Sequence, residues 1–280
     1  MSELSIKKQL LQRIYFGNLF VYIFGMTIVL SMVTTLLGEE MQKIDEMEAL
    51  FEKKYEAWKK YRKQQSPSPS SFRTIYMEGQ PYLEMLKLGI PALPYMMKKI
   101  ENDAYDGGRD LVWIVSKITN KKFHITRTGQ KPGGFRWTVE EFPDMNDLTS
   151  PPSRYKLWLR WWKEGKKLTA QQFEKFYQQW KKLNRQGKET EAKAKYQRVI
   201  DLGVAALPYI LDKVKQGDVE LVPAISVLTD NKVKKDAKQS ECLDWWESNK
   251  QKWLIPFPNI KADNTPTHKD QPGAEEPNEG

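Results

Sequence analysis

Leu88-Gly89-Ile90-Pro91-Ala92-Leu93-Pro94-Tyr95 returns further along the chain as Leu202-Gly203-Val204-Ala205-Ala206-Leu207-Pro208-Tyr209. Three more blocks recur around this pair, in the same order. Upstream, Phe51-Glu52-Lys53-Lys54-Tyr55-Glu56-Ala57-Trp58-Lys59-Lys60 is matched by Phe173-Glu174-Lys175-Phe176-Tyr177-Gln178-Gln179-Trp180-Lys181-Lys182. Tyr82 is matched by Tyr196. Downstream, Leu111-Val112 with Ser116 and Thr119 returns as Leu221-Val222 with Ser226 and Thr229. Leu159-Arg160-Trp161-Trp162 with Lys166 then returns as Leu243-Asp244-Trp245-Trp246 with Lys250. The offset between copies falls from 122 to 114, 110 and 84, so the first copy carries extra segments between its blocks. Colinear recurrence of this kind is the signature of a repeat architecture.

Every block has a helical period. Phe51, Tyr55, Trp58 and Tyr61 lie three and four residues apart, one apolar face opposite Lys and Glu; Phe173, Tyr177, Trp180 and Leu183 repeat it. Gly89 and Gly203 close apolar-periodic runs and fit the position just past a helix C-terminus. The prolines that follow suit the first turn of the next helix, where a missing N–H costs little. Trp158, Trp161 and Trp162 form a stripe matched by Cys242, Trp245 and Trp246, which reads as core, with Cys242 buried and inert. Helix, tight turn, helix, repeated, predicts an all-α chain of hairpins stacked into a short solenoid.

The run Leu88 to Lys99 with Leu111 to Thr119, and its second copy, Leu202 to Lys213 with Leu221 to Thr229, resemble a HEAT-type repeat. They are similar in particular to bacterial HEAT-like proteins in which a Trp-Trp helix follows the repeat. The likeness covers about residues 50–256, with two units each about twice the usual length. It implies an α-solenoid that binds other macromolecules, and it carries over no catalytic residue.

The N-terminal part has a different pattern. From Tyr15 to Leu37 run 23 uncharged residues, and Arg13 is the single charge between Leu10 and Gly38. As a helix this stretch is roughly 35 Å long, against about 30 Å of bilayer hydrocarbon. Lys7, Lys8 and Arg13 precede it and Glu39, Glu40, Asp45, Glu46 and Glu48 follow, which orients the N-terminus to the cytoplasm. The alternatives are a cleaved secretory signal, whose apolar core is shorter and whose small-residue cleavage site is absent here, and a buried core helix. The reading is a single-pass protein of a bacterial inner membrane: residues 1–14 cytoplasmic, 15–37 spanning, the helical part on the periplasmic side.

The remaining segments are a first helical unit over 39–168, a second over 169–256 and a disordered tail over 257–280, rich in Pro, Asn, Asp, Glu and Gly. Ser66-Pro67-Ser68-Pro69-Ser70-Ser71 reads as an exposed link. An insertion at about 121–150 belongs to the first copy alone. Within it, alternating residues on both sides of Gly129 to Gly134 predict a β-hairpin with a Gly-rich tip. Such an insertion either covers an exposed edge or forms a binding loop. On the second reading Arg127, Lys131, Arg136 and Trp137 are the candidate partner-binding residues.

The formal charge is +9, and residues 39–256 hold +10 of it once +2 before them and −3 after them are removed. Lysine pairs beside the aromatic stripes suit either solvated helix faces or a polyanion grip. One cysteine and two histidines leave no Cys-based zinc site and no His-relayed nucleophile. Glu140-Glu141, Asp218 and Glu220 read as capping residues, and no phosphate-loop run exists. The expectation is a non-catalytic docking or scaffolding module for a protein partner, with no metal or cofactor. The alternatives are a HEAT-like enzyme, or a cationic binder of envelope polymer, lipid or nucleic acid. The extracytoplasmic placement argues against nucleic acid.

Overall fold

A computed structural model describes residues 3–64, 79–102, 108–131, 134–145 and 153–258. The link at 66–71, the hairpin tip at 132–133 and the tail from 259 lie outside the described residues. The fold is mostly helical, with one two-stranded antiparallel sheet. The chain divides into two compact units, residues 1–120 with 247–254, and residues 121–246 with 255–280.

In the first unit α1 (Glu3–Gln64) is followed by α2 (Gln80–Lys87), a 3-10 turn, α3 (Leu93–Asn102), a second 3-10 turn and α4 (Leu111–Thr119). The second unit has the same order: α5 (Arg154–Arg185), α6 (Glu189–Asp201), a 3-10 turn, α7 (Leu207–Lys215), a 3-10 turn and α8 (Val222–Leu228). Helix α9 (Gln239–Trp253) follows. Between α4 and α5 lie strands β1 (Ile125–Lys131) and β2 (Gly134–Val139).

The local chemistry of the two copies coincides. Gly89 and Gly203 both take left-handed backbone, φ 64° and 75°, one residue past the cap of α2 and α6. Glycine bears that conformation without the cost a Cβ imposes. Each is followed by a 3-10 turn and a helix with proline in its first turn. Thr119 and Thr229 each donate to the carbonyl four residues back, Val115 and Ile225, at 2.7 and 2.8 Å. That satisfies a hydroxyl buried completely in both places.

The boundary placed at 168/169 on sequence grounds falls inside α5, which runs unbroken through it. No proline interrupts residues 154–185. The single glycine, Gly165, lies against the ring of Phe257, which would be 2.5 Å from an added Cβ. A mid-helix glycine costs about 1 kcal/mol relative to alanine; here it makes room for an aromatic ring. The expected turn at Gly129 to Gly134 is also shorter than the composition suggests. Gln130 and Lys131 still pair with Phe135 and Gly134, and the irregularity lies between Thr128 and Gln130.

Residues 15–37 lie within α1. Their side chains, apart from Met26 and residues 30–35, lie outside the described residues. Among the described residues no helix is long and apolar enough to cross a membrane.

Candidate functional site

The hairpin pairs Arg127 with Trp137 and Thr128 with Arg136. Direct partners in an antiparallel ladder share a face, and successive residues alternate. Arg127 and Trp137 therefore lie together on the face that carries Ile125 and the fully buried Val139. Arg136 lies on the opposite face with Thr126 and Thr138. Lys131 ends β1, and its side chain lies outside the described residues. Of the four candidate residues, the fold thus brings two together and turns a third away. Arg127 is exposed, while Trp137 and Arg136 are half-buried.

The root of this hairpin is built from buried charge. The Lys121 ammonium, whose side chain is 2% exposed, lies 3.3 Å from Glu141 and donates to the Lys122 carbonyl at 2.9 Å. Both Glu141 carboxylate oxygens accept from the backbone N–H of His124, at 3.1 and 3.0 Å. The Asp201 carboxylate at the end of α6 lies 3.1 Å from Lys122 Nζ and 3.1 Å from His124 Nε2, and its carbonyl accepts from the Lys122 N–H. Arg198 pairs with Glu140 at 2.6 Å, and Gln172 of α5 donates to the Glu141 carbonyl. Phe123 meets Trp158 edge-on at 5.0 Å.

Burial drives both members of the central pair toward their neutral forms. It pushes the Glu141 carboxyl up, against the pull of Lys121, and holds the Lys121 ammonium down, against the pull of Glu141. Such a pair adds little net stability, because desolvation offsets the attraction. Losing either partner is costly. Its effect is to fix the strands in one register and place against α5 and α6.

Sequence reasoning missed this network. Glu141 reads as a strand-end cap, yet its carboxylate serves a lysine and a backbone amide across the hairpin. Asp218 begins a 3-10 turn without capping it; its oxygens take the Tyr177 hydroxyl at 2.7 Å and Lys181 at 3.2 Å. The signal available was the insertion's Lys121-Lys122 and Glu140-Glu141 at opposite ends of a hairpin. Asp201 carried none, being 80 residues from Lys121.

A second feature lies where α5 meets the segment 255–258. Phe257 packs on Gly165 and edge-on against Trp161 at 5.0 Å, with Trp162 at 5.8 Å. This holds Pro258 beside α5, and the two enclose an open cleft of about 580 Å³ lined by Lys163, Lys166, Lys167, Leu168 and Gln171. Trp158 and Trp161 are core residues, 3% and 2% exposed, whereas Trp245 and Trp246 are half-buried. Cys242 is fully buried and burial pushes its thiol up, which leaves little thiolate for reaction.

Among the described residues no group of His, Cys, Asp and Glu is arranged to hold a metal ion. Compared with protein-family models, curated proteins and solved structures, the chain matches none.

Proposed function

We propose that this chain is a membrane-anchored helical-repeat protein of HEAT-like type, a non-catalytic docking module that takes a protein partner through its hairpin. The observation that carries the reading is the root of that hairpin. Lys121, Glu141, His124 and Asp201 hold an insertion that the second copy does without, and the strands they hold put Arg127 beside Trp137. Arginine and tryptophan are among the residue types enriched where binding energy concentrates at interfaces. A rigid root lowers the ordering cost of association.

The anchor reading draws support from α1. Met26, Leu30, Met32 and Val33 of α1 are exposed, at 62%, 66%, 62% and 45%. Apolar surface of that kind in water is unfavourable by about 25 cal/mol per Å², and lipid removes the penalty. In this reading the N-terminus is cytoplasmic and the helical units are extracytoplasmic. The repeat reading draws support from the matched element order and glycine geometry.

Two measurements test it. A topology reporter fused after Gly280 should read out on the extracytoplasmic side, and the chain should stay in the membrane pellet at alkaline pH. A cytoplasmic readout or release into the supernatant removes the anchor. A photo-crosslinking residue at position 137 should capture one protein reproducibly in native membranes, and Arg127→Glu should abolish capture. Equal capture from Lys235, far along the chain, removes the hairpin as the docking element.

A further inference from the structure

The cleft between α5 and Pro258 gathers three lysines of one helix beside apolar surface. Lys163, Lys166 and Lys167 lie at spacings of three and four on one helix, so they share a face. Many lysines in this chain face carboxylates: Lys54 meets Glu84 at 2.9 Å, Lys99 meets Glu52 at 3.1 Å and Lys213 meets Glu174 at 3.2 Å. Among the described residues, no carboxylate pairs with Lys166 or Lys167. The one acid in the lining, Glu164, is already held by Arg160 at 3.1 Å. The cleft is therefore cationic, although it contains a carboxylate.

Leu168 and Pro258 give the lining an apolar part, beside Gln171 and Glu164, and Phe257 seats its ring on Gly165 next to Pro258. The space is too open to be a void left by packing. Cations and aliphatic surface in one cleft complement a ligand that carries both an anion and methylenes.

We propose that this cleft binds an anionic phospholipid, with the phosphate diester at Lys166 and Lys167 and the first methylenes of its chains against Leu168 and Pro258. Lysine is a point charge that grips phosphate without demanding a fixed orientation. The apolar part selects an amphiphile over a free anion. The site does not rest on the hairpin or on the membrane span at 15–37, since a lipid dispersed as monomers can reach it.

The full chain in a nonionic detergent is titrated calorimetrically with dihexanoyl phosphatidylglycerol, and with dihexanoyl phosphatidylcholine to account for partition into the micelle. Phosphatidylglycerol should bind saturably. Lys166→Gln with Lys167→Gln should weaken it about thirtyfold, by loss of two surface cations. Lys234→Gln with Lys235→Gln, a pair exposed elsewhere, should leave it unchanged, and both variants should melt as the parent does. Inorganic phosphate should bind at least about tenfold more weakly than the lipid, having nothing to place on the apolar part. Equal binding of the two lipids overturns the proposal, because the lysines then do nothing. Equal binding of phosphate and phosphatidylglycerol also overturns it, as does an equal loss in both lysine variants.

Discussion

The aromatic clusters around Phe51 and around Phe173 have nearly the same geometry. Phe51 stacks on Tyr55 at 5.7 Å and 15°; Phe173 stacks on Tyr177 at 5.7 Å and 14°. Tyr95 lies 5.9 Å from Phe51, and Tyr209 lies 5.8 Å from Phe173. Tyr95 donates to the Ile44 carbonyl and Tyr209 to that of Lys166, seven residues before the phenylalanine in each case. Lys99 pairs with Glu52 and covers the Tyr55 ring; Lys213 pairs with Glu174 and covers the Tyr177 ring.

They also differ: Trp58 is tilted 35° to Tyr55 and Trp180 62° to Tyr177, and one difference is electrostatic. Where the second copy has Asp218, which takes the Tyr177 hydroxyl and Lys181, the first has Gly108. Ring packing is thus common to both, and the second cluster adds Asp218 as acceptor of its tyrosine hydroxyl. What recurs is set by the helix-packing problem each copy must solve. What differs is free to vary because it lies at the edge of that packing.

The widest gap between the copies is the insertion, and removing its central charge should have the largest effect. Glu141→Ala leaves Lys121 buried without its carboxylate and should cost about 3–5 kcal/mol. The double change Lys121→Met with Glu141→Leu should recover much of that loss. Denaturant unfolding followed by tryptophan fluorescence measures both, and a double variant as weak as the single one would show that the pair itself stabilises. Next, Phe51→Ala and Phe173→Ala should each cost about 3–5 kcal/mol, since both rings are buried in matching sites. Unequal losses in the same assay would break the equivalence of the clusters.

Asp218→Asn weakens the acceptor of the Tyr177 hydroxyl and removes a partner of Lys181, and should cost about 1–3 kcal/mol. It also has a signature in alkali. Burial first, then the hydrogen bond to Asp218, pushes Tyr177 well above an ordinary tyrosine, and burial pushes Tyr196 up to about 12. A raised folded-state pKa contributes stability that is intact below the unfolded value of 10.0 and is lost as pH climbs toward about 12. An ultraviolet titration should therefore show late-ionising tyrosines, and Asp218→Asn should bring one of them earlier. The smallest effect belongs to Tyr95→Phe and Tyr209→Phe. Each loses one exposed hydrogen bond to a backbone carbonyl, worth about 0.5–1.5 kcal/mol, and a thermal melt should show equal shifts.

The apolar spacing of Phe51, Tyr55 and Trp58 was legible because helical period depends on residues within one turn of each other. The left-handed glycines and the paired strands were legible for the same reason. Pro94 and Pro208 announced a new helix but not the 3-10 turn before it. The site was legible only in part. Arg127 and Trp137 stood out in an insertion, yet the bulge between Thr128 and Gln130, which decides how the strands continue, has no signal beyond Gly129. Lysines 163, 166 and 167 looked like any solvated helix face until Pro258 was seen beside them.

Taken alone, the order of residues determined a helical chain written twice, with two glycine-ended helices, a hairpin between the copies and an uncharged N-terminal run. Those are properties of near neighbours along the backbone. Tertiary structure decided that one helix runs from Arg154 to Arg185, that Gly165 makes room for Phe257, and that Asp201 receives Lys122 and His124. Each of these joins groups that are distant in the chain. Only the three-dimensional packing chooses which buried charge meets which, because a buried charge left without its partner keeps its desolvation cost with nothing to offset it.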